Sequence, residues 1–502
     1  MFRIFGPPGT GKTTSLLNKV EDALQSGTPP NRIAFLAFTR KAAEEARIRA
    51  AARFKLDPKK DLFYFRTLHS LALTLSDIST DQVMQPENYR EIARQCGVPL
   101  NVGVSPRFDD DLPDVLKSND PVLALINLAR IRKIDLREQY NKSDIDIEWN
   151  IVNHVNRSLI NYKKNTHMFD FTDMLEKFVN ESHNWCPTFD LCFVDEAQDL
   201  SPLQWDLANL LDEKSDLMYI AGDDDQAIYR WAGADVDMFI NLDGPSETLS
   251  RSYRVPFRVH QLAERIVKRI DRRFVKAYEP KDEEGTVEYR NSVEEIDMSN
   301  GSWLILAQAG YQLQPVADSL RSFGYSYVFR NVRSISEKLS DAVNGWEQLR
   351  RGEKITGKTA RNIYSYMSAK ETMRSLQHVA KGFKTLPGLE ESDLVNMQDL
   401  FVNHGLLASD KLIWSEAMDR IPEKERGEKF NGVPRITVST IHGSKGGEAD
   451  NVVVFSDLTA AADRQMRVDP DDIHRVFYVA VTRTKHNLFI IDAEDATRSY
   501  YL

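Results

Sequence analysis

Cysteine is nearly missing from this chain: 502 residues hold only Cys96, Cys186 and Cys192. No two of them form a CxxC pair, so neither a zinc site nor a disulfide framework is suggested, and a reducing, intracellular setting is expected. Long apolar runs are missing too. No stretch approaches the ~20 apolar residues of a membrane span, and the start of the chain has no basic and apolar leader of the secretory kind. The expectation is a cytoplasmic protein with no membrane partner. Positive charge is also in deficit, with 65 Lys and Arg against 75 Asp and Glu and a net charge of −10. That excludes a protein coated in nucleic acid through bulk charge, but not one with a local basic groove. Arg251 to Lys276 is one local excess, with nine basic residues against Glu264 and Asp271; a solvated helix face is the plain reading of most of them. No repeat of fixed period, low-complexity tract or metal-nuclease cluster is recognisable.

What is present begins almost at once. Gly6-Pro7-Pro8-Gly9-Thr10-Gly11-Lys12-Thr13 matches G-x-x-x-x-G-K-[ST] without a gap. Phe2 to Phe5 reads as a short strand before it, and Thr14 onward as a helix after it. That context separates a phosphate-binding loop from an ordinary Gly/Pro turn. Glycines let backbone N–H groups turn toward phosphate oxygens, and the helix N-terminus adds positive potential. Gly9, Thr10, Gly11, Lys12, Thr13 and Thr14 are therefore candidate ATP-binding residues. Lys12 is expected on the β- and γ-phosphates and the Thr13 hydroxyl on Mg²⁺.

The periodicity continues in an α/β rhythm. Arg32 to Phe38 reads as a buried strand, Thr39 opens an Ala-rich helix to about Phe54, and Leu62 to Phe65 reads as a third strand. A parallel sheet with crossover helices is predicted. Polar-faced helical stretches, Pro121–Tyr140 and Ile145–Lys163, then replace the strands, which resume at Leu191–Val194 and Leu217–Ile220. A second sheet unit is expected from near Glu247, with strands at Ser302–Ala307, Arg435–Ser439, Asn451–Phe455 and Asn487–Ile491. The outline is 1–74 and 169–246 as one sheet domain with a helical insertion at 75–168, and 247–330 and 431–502 as another with an insertion at 331–430.

Leu191-Cys192-Phe193-Val194-Asp195-Glu196 is an apolar strand ending in paired carboxylates. At the carboxyl edge of a parallel sheet such a pair points into the ligand crevice. Asp195 suits Mg²⁺, and Glu196 suits the orientation and deprotonation of an attacking water. After the next strand, Gln226 in Gly222-Asp223-Asp224-Asp225-Gln226 can reach a γ-phosphate by hydrogen bond. Tyr229-Arg230-Trp231 then interleaves aromatics with a cation, as in a base-stacking platform; core packing is the alternative for both rings.

In order, GPPGTGKT, AFTRKAAEEA, TLHSLA, VDEAQD, GDDDQAIYRWAGA, SYR, TIHGSKGGE and YVAVTR resemble the motifs of the UvrD/Rep/PcrA-like superfamily 1 DNA helicases. The resemblance implies two RecA-like P-loop domains, each carrying a mostly helical inserted subdomain, with ATP between them and single-stranded DNA across their top. It implies that Arg254 and Arg483 contact the γ-phosphate, that Tyr253 stacks on adenine and that Glu448 lies near the ribose. Lys12, Glu196, Gln226, Arg254 and Arg483 become the catalytic set. Phe38, Thr39, Arg40, Thr67, His69, Tyr229, Trp231, Thr440 and His442 match DNA-contacting positions. By itself His442 reads as a structural histidine.

The chain departs from the pattern in four places. Met1 lies five residues before Gly6, so the usual upstream glutamine that reads adenine has no counterpart, and a relaxed choice of nucleotide is expected. Arg40 stands where Asn is usual and Gly447 where Leu is usual. The second insertion is shorter than is typical. The reading is an ATP- and Mg²⁺-dependent helicase translocating 3′→5′ on single-stranded DNA, working at duplex junctions and with replication or repair proteins. A translocase that strips bound proteins with little unwinding stands beside it. A P-loop kinase or small-molecule ATPase would need no arginine finger from a second sheet unit, and a non-enzymatic scaffold would need none of the catalytic set.

Overall fold

The computed structural model describes residues 1–101, 120–182, 185–365, 389–404 and 434–502. Parts of the two predicted helical insertions, 102–119, 366–388 and 405–433, lie outside the described residues. The chain divides into two compact units. One comprises 1–288, 441–448 and 456–502, and the other 289–440 and 449–455.

The first unit is built on a six-stranded sheet. Its strands are β1 (Phe2–Phe5), β2 (Ile33–Ala37), β3 (Phe65–Thr67), β4 (Phe189–Val194), β5 (Ser215–Gly222) and β6 (Ser246–Thr248), in the order β3-β2-β4-β5-β1-β6. Every pairing in it is parallel. β2 is apolar throughout and wholly buried, as a strand covered on both faces by crossover helices has to be. The parallel register also brings aromatic side chains into line. Phe35 lies opposite both Phe65 and Phe193, and Tyr219 opposite both Phe193 and Phe2. Their rings follow at centroid spacings of 5.4, 6.0, 5.4 and 5.5 Å. This row ties five strands together, since neighbouring rings on one face add to simple area burial.

The helix Lys12–Gln25 turns Leu16, Leu17, Val20 and Ala23 onto the same core, at the spacing of one helical face. Thr39 and Thr67 each cap a helix, their Oγ1 atoms accepting from Ala42 N at 3.1 Å and Ser70 N at 3.2 Å. The third strand starts later than its apolar run predicted. Leu62 and Phe63 lie in a turn, and β3 is Phe65–Thr67. Pro121–Tyr140 is two helices, Pro121–Ile131 and Leu136–Asn141, and Trp149–Thr166 follows. These helices share a core centred on Ile92, Leu123, Ile126, Val152, Val155 and Leu159. β6 pairs with β1 (Arg3↔Ser246 to Phe5↔Thr248), across the boundary expected at 246/247.

β7 (Thr286–Arg290) runs across the division between the units. Within the second unit β8 (Trp303–Ala307), β9 (Tyr327–Phe329), β10 (Val332–Arg333), β13 (Ile436–Thr440) and β14 (Ala449–Phe455) follow the order β10-β9-β13-β8-β14. All of these pair in parallel except the β9–β10 hairpin. β11 (Ile355–Thr356) and β12 (Leu394–Val395) form a separate short ladder beside the helices Glu337–Arg350 and Gly357–Ser365. β15 (Thr484–Ile491) belongs to the first unit. The architecture is α/β with parallel sheets. No helix among the described residues is long and apolar enough to cross a membrane.

Candidate functional site

The strand order decides which loops can meet. β4, β5 and β1 are neighbours, so the segments leaving their carboxyl ends share one edge of the first sheet. Those segments are the phosphate-loop sequence, Asp195-Glu196, and Asp223 to Gln226. Gly9 and Gly11 take left-handed backbone (φ 73° and 82°), which only glycine adopts without strain. A Cβ on Gly9 would stand 2.4 Å from the Arg254 Cβ. Thr10 closes the loop on itself, its Oγ1 donating to Pro7 O at 2.8 Å. Lys12 folds back across Gly6, donating to its carbonyl at 3.0 Å, with its Nζ 3.6 Å from Glu196 Oε1. Thr14 Oγ1 accepts from Arg49.

Thr13 Oγ1 donates to Asp195 Oδ2 at 2.7 Å. Burial, with the Glu196 charge beside it, pushes the Asp195 carboxyl above the usual range. Burial acts on Glu196 in the same sense, but Lys12 and Lys445 outweigh it and hold that carboxyl ionised and low. Glu196 also has left-handed backbone (φ 57°), an uncommon state for a glutamate. A hydroxyl and a carboxylate in contact, with that carboxylate wanting a cation, form an oxygen donor set that fits Mg²⁺.

Gln226 is held at both ends. Its Nε2 donates to Asp223 Oδ2 and its Oε1 accepts from Arg483 Nη2, both at 2.6 Å. Burial, and Arg254 nearby, lower the Arg483 guanidinium to about 9, so it stays charged at neutral pH. Ser252 Oγ donates to Pro8 O at 2.7 Å, and Tyr253 N to Gly9 O at 2.8 Å, which docks the Ser252–Arg254 segment on the phosphate loop. Tyr253 is 74% exposed there. Arg254 and Lys485 both grip Glu448, at 2.6 and 2.7 Å.

A second group gathers beyond the ends of β2 and β3. Phe38, Thr39, Arg40, Thr67 and His69 line one groove of about 360 Å³. The Phe38 ring lies 5.5 Å from Tyr229, and Tyr229, Trp231 and His442 form a cluster at 6.0–6.5 Å. Tyr229 is buried and its hydroxyl donates to His442 O at 3.1 Å. Trp231 is 45% exposed. Burial, then Lys445, lowers the His442 imidazole to about 4, so it is neutral at pH 7. Thr440 ends β13 in the second unit.

Sequence reasoning passes over several residues that the structure puts at the centre. Lys445 pairs with Asp199, lies 3.6 Å from Glu196, donates to Gln226 O at 2.9 Å and sits over the Tyr229 ring at 5.2 Å. Gln198 donates to Glu196 Oε2 at 2.6 Å and accepts from Asp223 N at 3.0 Å. Both lie inside legible motifs, which mark their positions but not their partners. Lys276 has no signal beyond the basic run. Its ammonium sits 3.0, 2.6 and 2.6 Å from Asp223, Asp224 and Asp225, while Arg273 makes two 2.7 Å bonds to Asp225. The plain reading of that run as a solvated helix face therefore fails at Arg273 and Lys276. Arg251, Arg254, Arg258, Lys268 and Arg272 each face a carboxylate as well.

Residues 2–246 match the family described as UvrD/REP helicase N-terminal domain, and residues 435–491 match the UvrD-like helicase C-terminal domain. The chain is 27% identical over 250 residues to the ATP-dependent DNA helicase PcrA of Leuconostoc citreum, a stretch covering 48% of this chain and 33% of that protein. It is 25% identical over 271 residues to a probable DNA helicase II homolog of Mycoplasma genitalium, covering 50% and 36%. Against PcrA of Bacillus subtilis it is 24% identical over 294 residues, covering 55% and 39%. The matched stretch thus spans between a third and two fifths of these relatives' length.

Proposed function

The chain belongs to the UvrD/Rep/PcrA-like helicase family, and from that premise we propose that it is an ATP-driven DNA helicase that moves along single-stranded DNA. One observation carries the reading. Phosphate loop, acidic pair, Gln226 and two arginines converge on the edge shared by β4, β5 and β1. Lys12 leaves the Gly6 carbonyl for the β- and γ-phosphates. Thr13 and Asp195 would hold Mg²⁺, which when bound supplies positive charge against the phosphate oxygens. Glu196, kept ionised by Lys12 and Lys445, orients the attacking water and takes its proton. Arg254, released from Glu448, and Arg483 stabilise charge on the transferring phosphoryl group, while Gln226 senses its presence. Tyr253 supplies a stacking face for the base.

The groove beyond β2 and β3 is the track for the single strand, with Trp231 as its exposed stacking ring. Lys445 touches both Glu196 and Tyr229, and so joins hydrolysis to strand binding. The organisation we propose is two RecA-like domains, 1–74 with 169–246 and 247–330 with 431–502, interrupted at 75–168 and 331–430. The polarity proposed is 3′→5′, with duplex junctions as substrates and replication or repair proteins as partners. The test is an ATPase assay with and without single-stranded DNA, then unwinding of duplexes carrying 3′ or 5′ tails. DNA-stimulated turnover with unwinding from 3′ tails supports the reading. Stimulated turnover with protein displacement but no unwinding favours the stripping translocase, and turnover indifferent to DNA overturns both.

A further inference from the structure

Arg66 stands at the middle of β3, beside the groove that Thr39 and Thr67 line. Its guanidinium is half-buried, and its contacts among the described residues are neutral. Nε donates to Phe63 O at 2.6 Å, Nη1 donates to Thr74 Oγ1, and the group lies over the Phe63 ring at 4.4 Å. Among the described residues no carboxylate pairs with it. The charge next to it is of the same sign. Burial, and then Arg47, press the Arg66 guanidinium below its ordinary value. Arg47, on the helix Arg40–Phe54, also lines the groove and is matched by Glu44 through Nη2, while its Nε is buried without an acceptor. Among the described residues of the lining, Arg47 and Arg66 stand together with Glu44, which is already paired with Arg47. A half-buried cation with no counter-ion, facing a second one, is costly unless an anion joins them.

We infer that Arg66 and Arg47 form a clasp for the phosphodiester backbone of a single-stranded nucleic acid, entering the groove between β3 and the helix Arg40–Phe54. The inference rests on the reading above that the protein tracks single strands, and adds the residues that hold the backbone. Two helices, Arg40–Phe54 and Leu68–Leu75, begin on the same groove, which adds positive potential. Phe38 connects the groove to the Tyr229–Trp231 cluster, so bases leaving the clasp meet an aromatic surface. Guanidinium forks suit phosphate oxygens and carry no sequence information.

The experiment is equilibrium binding of a 20-nucleotide oligo-dT and a mixed-sequence 20-mer, without nucleotide, across a series of salt concentrations. Each lost phosphate contact makes the slope of log K against log salt shallower by about 0.7 on single strands. Arg66→Ala is expected to do so once, and Arg47→Ala with Arg66→Ala about twice as much, equally for both oligonucleotides. Arg66→Lys keeps the charge and most of the slope, and serves where the alanine variant melts early. Arg94→Ala, exposed on another helix, leaves the slope alone. An unchanged slope in both Arg66 variants overturns the clasp, as does an equal change in Arg94→Ala. An equal loss on a blunt 20-base-pair duplex overturns the single-strand assignment. Inorganic phosphate that stabilises the wild type but not Arg66→Ala, with oligonucleotide binding intact, makes this a free-anion site and overturns it too. Wild-type protein that binds no oligonucleotide overturns the helicase reading itself.

Discussion

Two acidic clusters leave the carboxyl ends of adjacent strands and have opposite fates. Asp195 and Glu196, after β4, face a hydroxyl and the ends of two lysine side chains. Asp223, Asp224 and Asp225, after β5, have oxygens within 4.8 Å of one another, the spacing of a metal site. Yet Lys276 stands among all three, Arg273 clamps Asp225, and the Phe274 N–H donates to Asp224 at 2.7 Å. In the first cluster both lysines lie against Glu196, while Asp195 meets the Thr13 hydroxyl, an oxygen pair that fits Mg²⁺. The second is satisfied, and works by holding Gln226 through Asp223. A run of carboxylates becomes a metal site or a structural knot according to whether the fold brings a cation to every one of them or leaves one, here Asp195, on a hydroxyl alone.

The largest effect is expected at the open cluster. Glu196→Gln is expected to keep ATP binding and to lose turnover by about 10²–10⁴-fold, because the water loses its base; turnover within a few-fold of wild type would remove Glu196 from that role. Breaking the closed cluster strikes stability instead. Lys276→Met leaves the buried Asp223 and Asp224 without their cation and Asp225 with Arg273 alone, and is expected to cost about 3–5 kcal/mol in denaturant unfolding, with Lys276→Arg recovering part. Asp195→Asn, on the open side, is expected to be neutral or to stabilise by about 1 kcal/mol, since it removes a desolvated charge. If the two losses match, the contrast between the clusters is wrong.

A smaller effect is expected downstream of the closed cluster. Trp231→Ala should weaken single-strand binding by about 1–3 kcal/mol and lower DNA-stimulated ATPase while sparing the basal rate. A fall in melting temperature with the stimulated-to-basal ratio intact would make Trp231 packing. The smallest expected effect sharpens the space between the clusters, where Asp199 sits. Burial, then the Glu196 charge, pushes the Asp199 carboxyl up to about 7. The folded state then binds more protons than the unfolded one from about pH 4 to 7, so this group's contribution to stability falls as pH rises through that window. Asp199→Asn is expected to flatten that part of a melting-temperature profile against pH, and an unchanged slope would assign it to another group.

Much of this is legible in the sequence alone. Runs such as Ile33–Ala37 and Leu191–Val194 announce strands because a strand buried on both faces can hold only apolar residues. The phosphate-loop spacing, the Asp-Glu after an apolar strand and the ordered motifs mark the nucleotide-binding edge, since each depends on neighbours along the chain. Strand order, and hence which loops meet, is not local in that sense. Nothing in Phe2–Phe5 says that it lies between β5 and β6.

By itself, then, the sequence determined the α/β class, the phosphate loop, the family and the identity of most side chains now found along one sheet edge. Only the tertiary structure decided their partners. It buried Tyr229 and left Trp231 exposed, put Lys276 among three aspartates, and set Lys445 between Glu196 and the aromatic cluster. The reason is physical. Periodicity and motif spacing record interactions over a few residues, whereas a buried charge is satisfied by whatever the fold carries to it, here from 48 to more than 200 positions away.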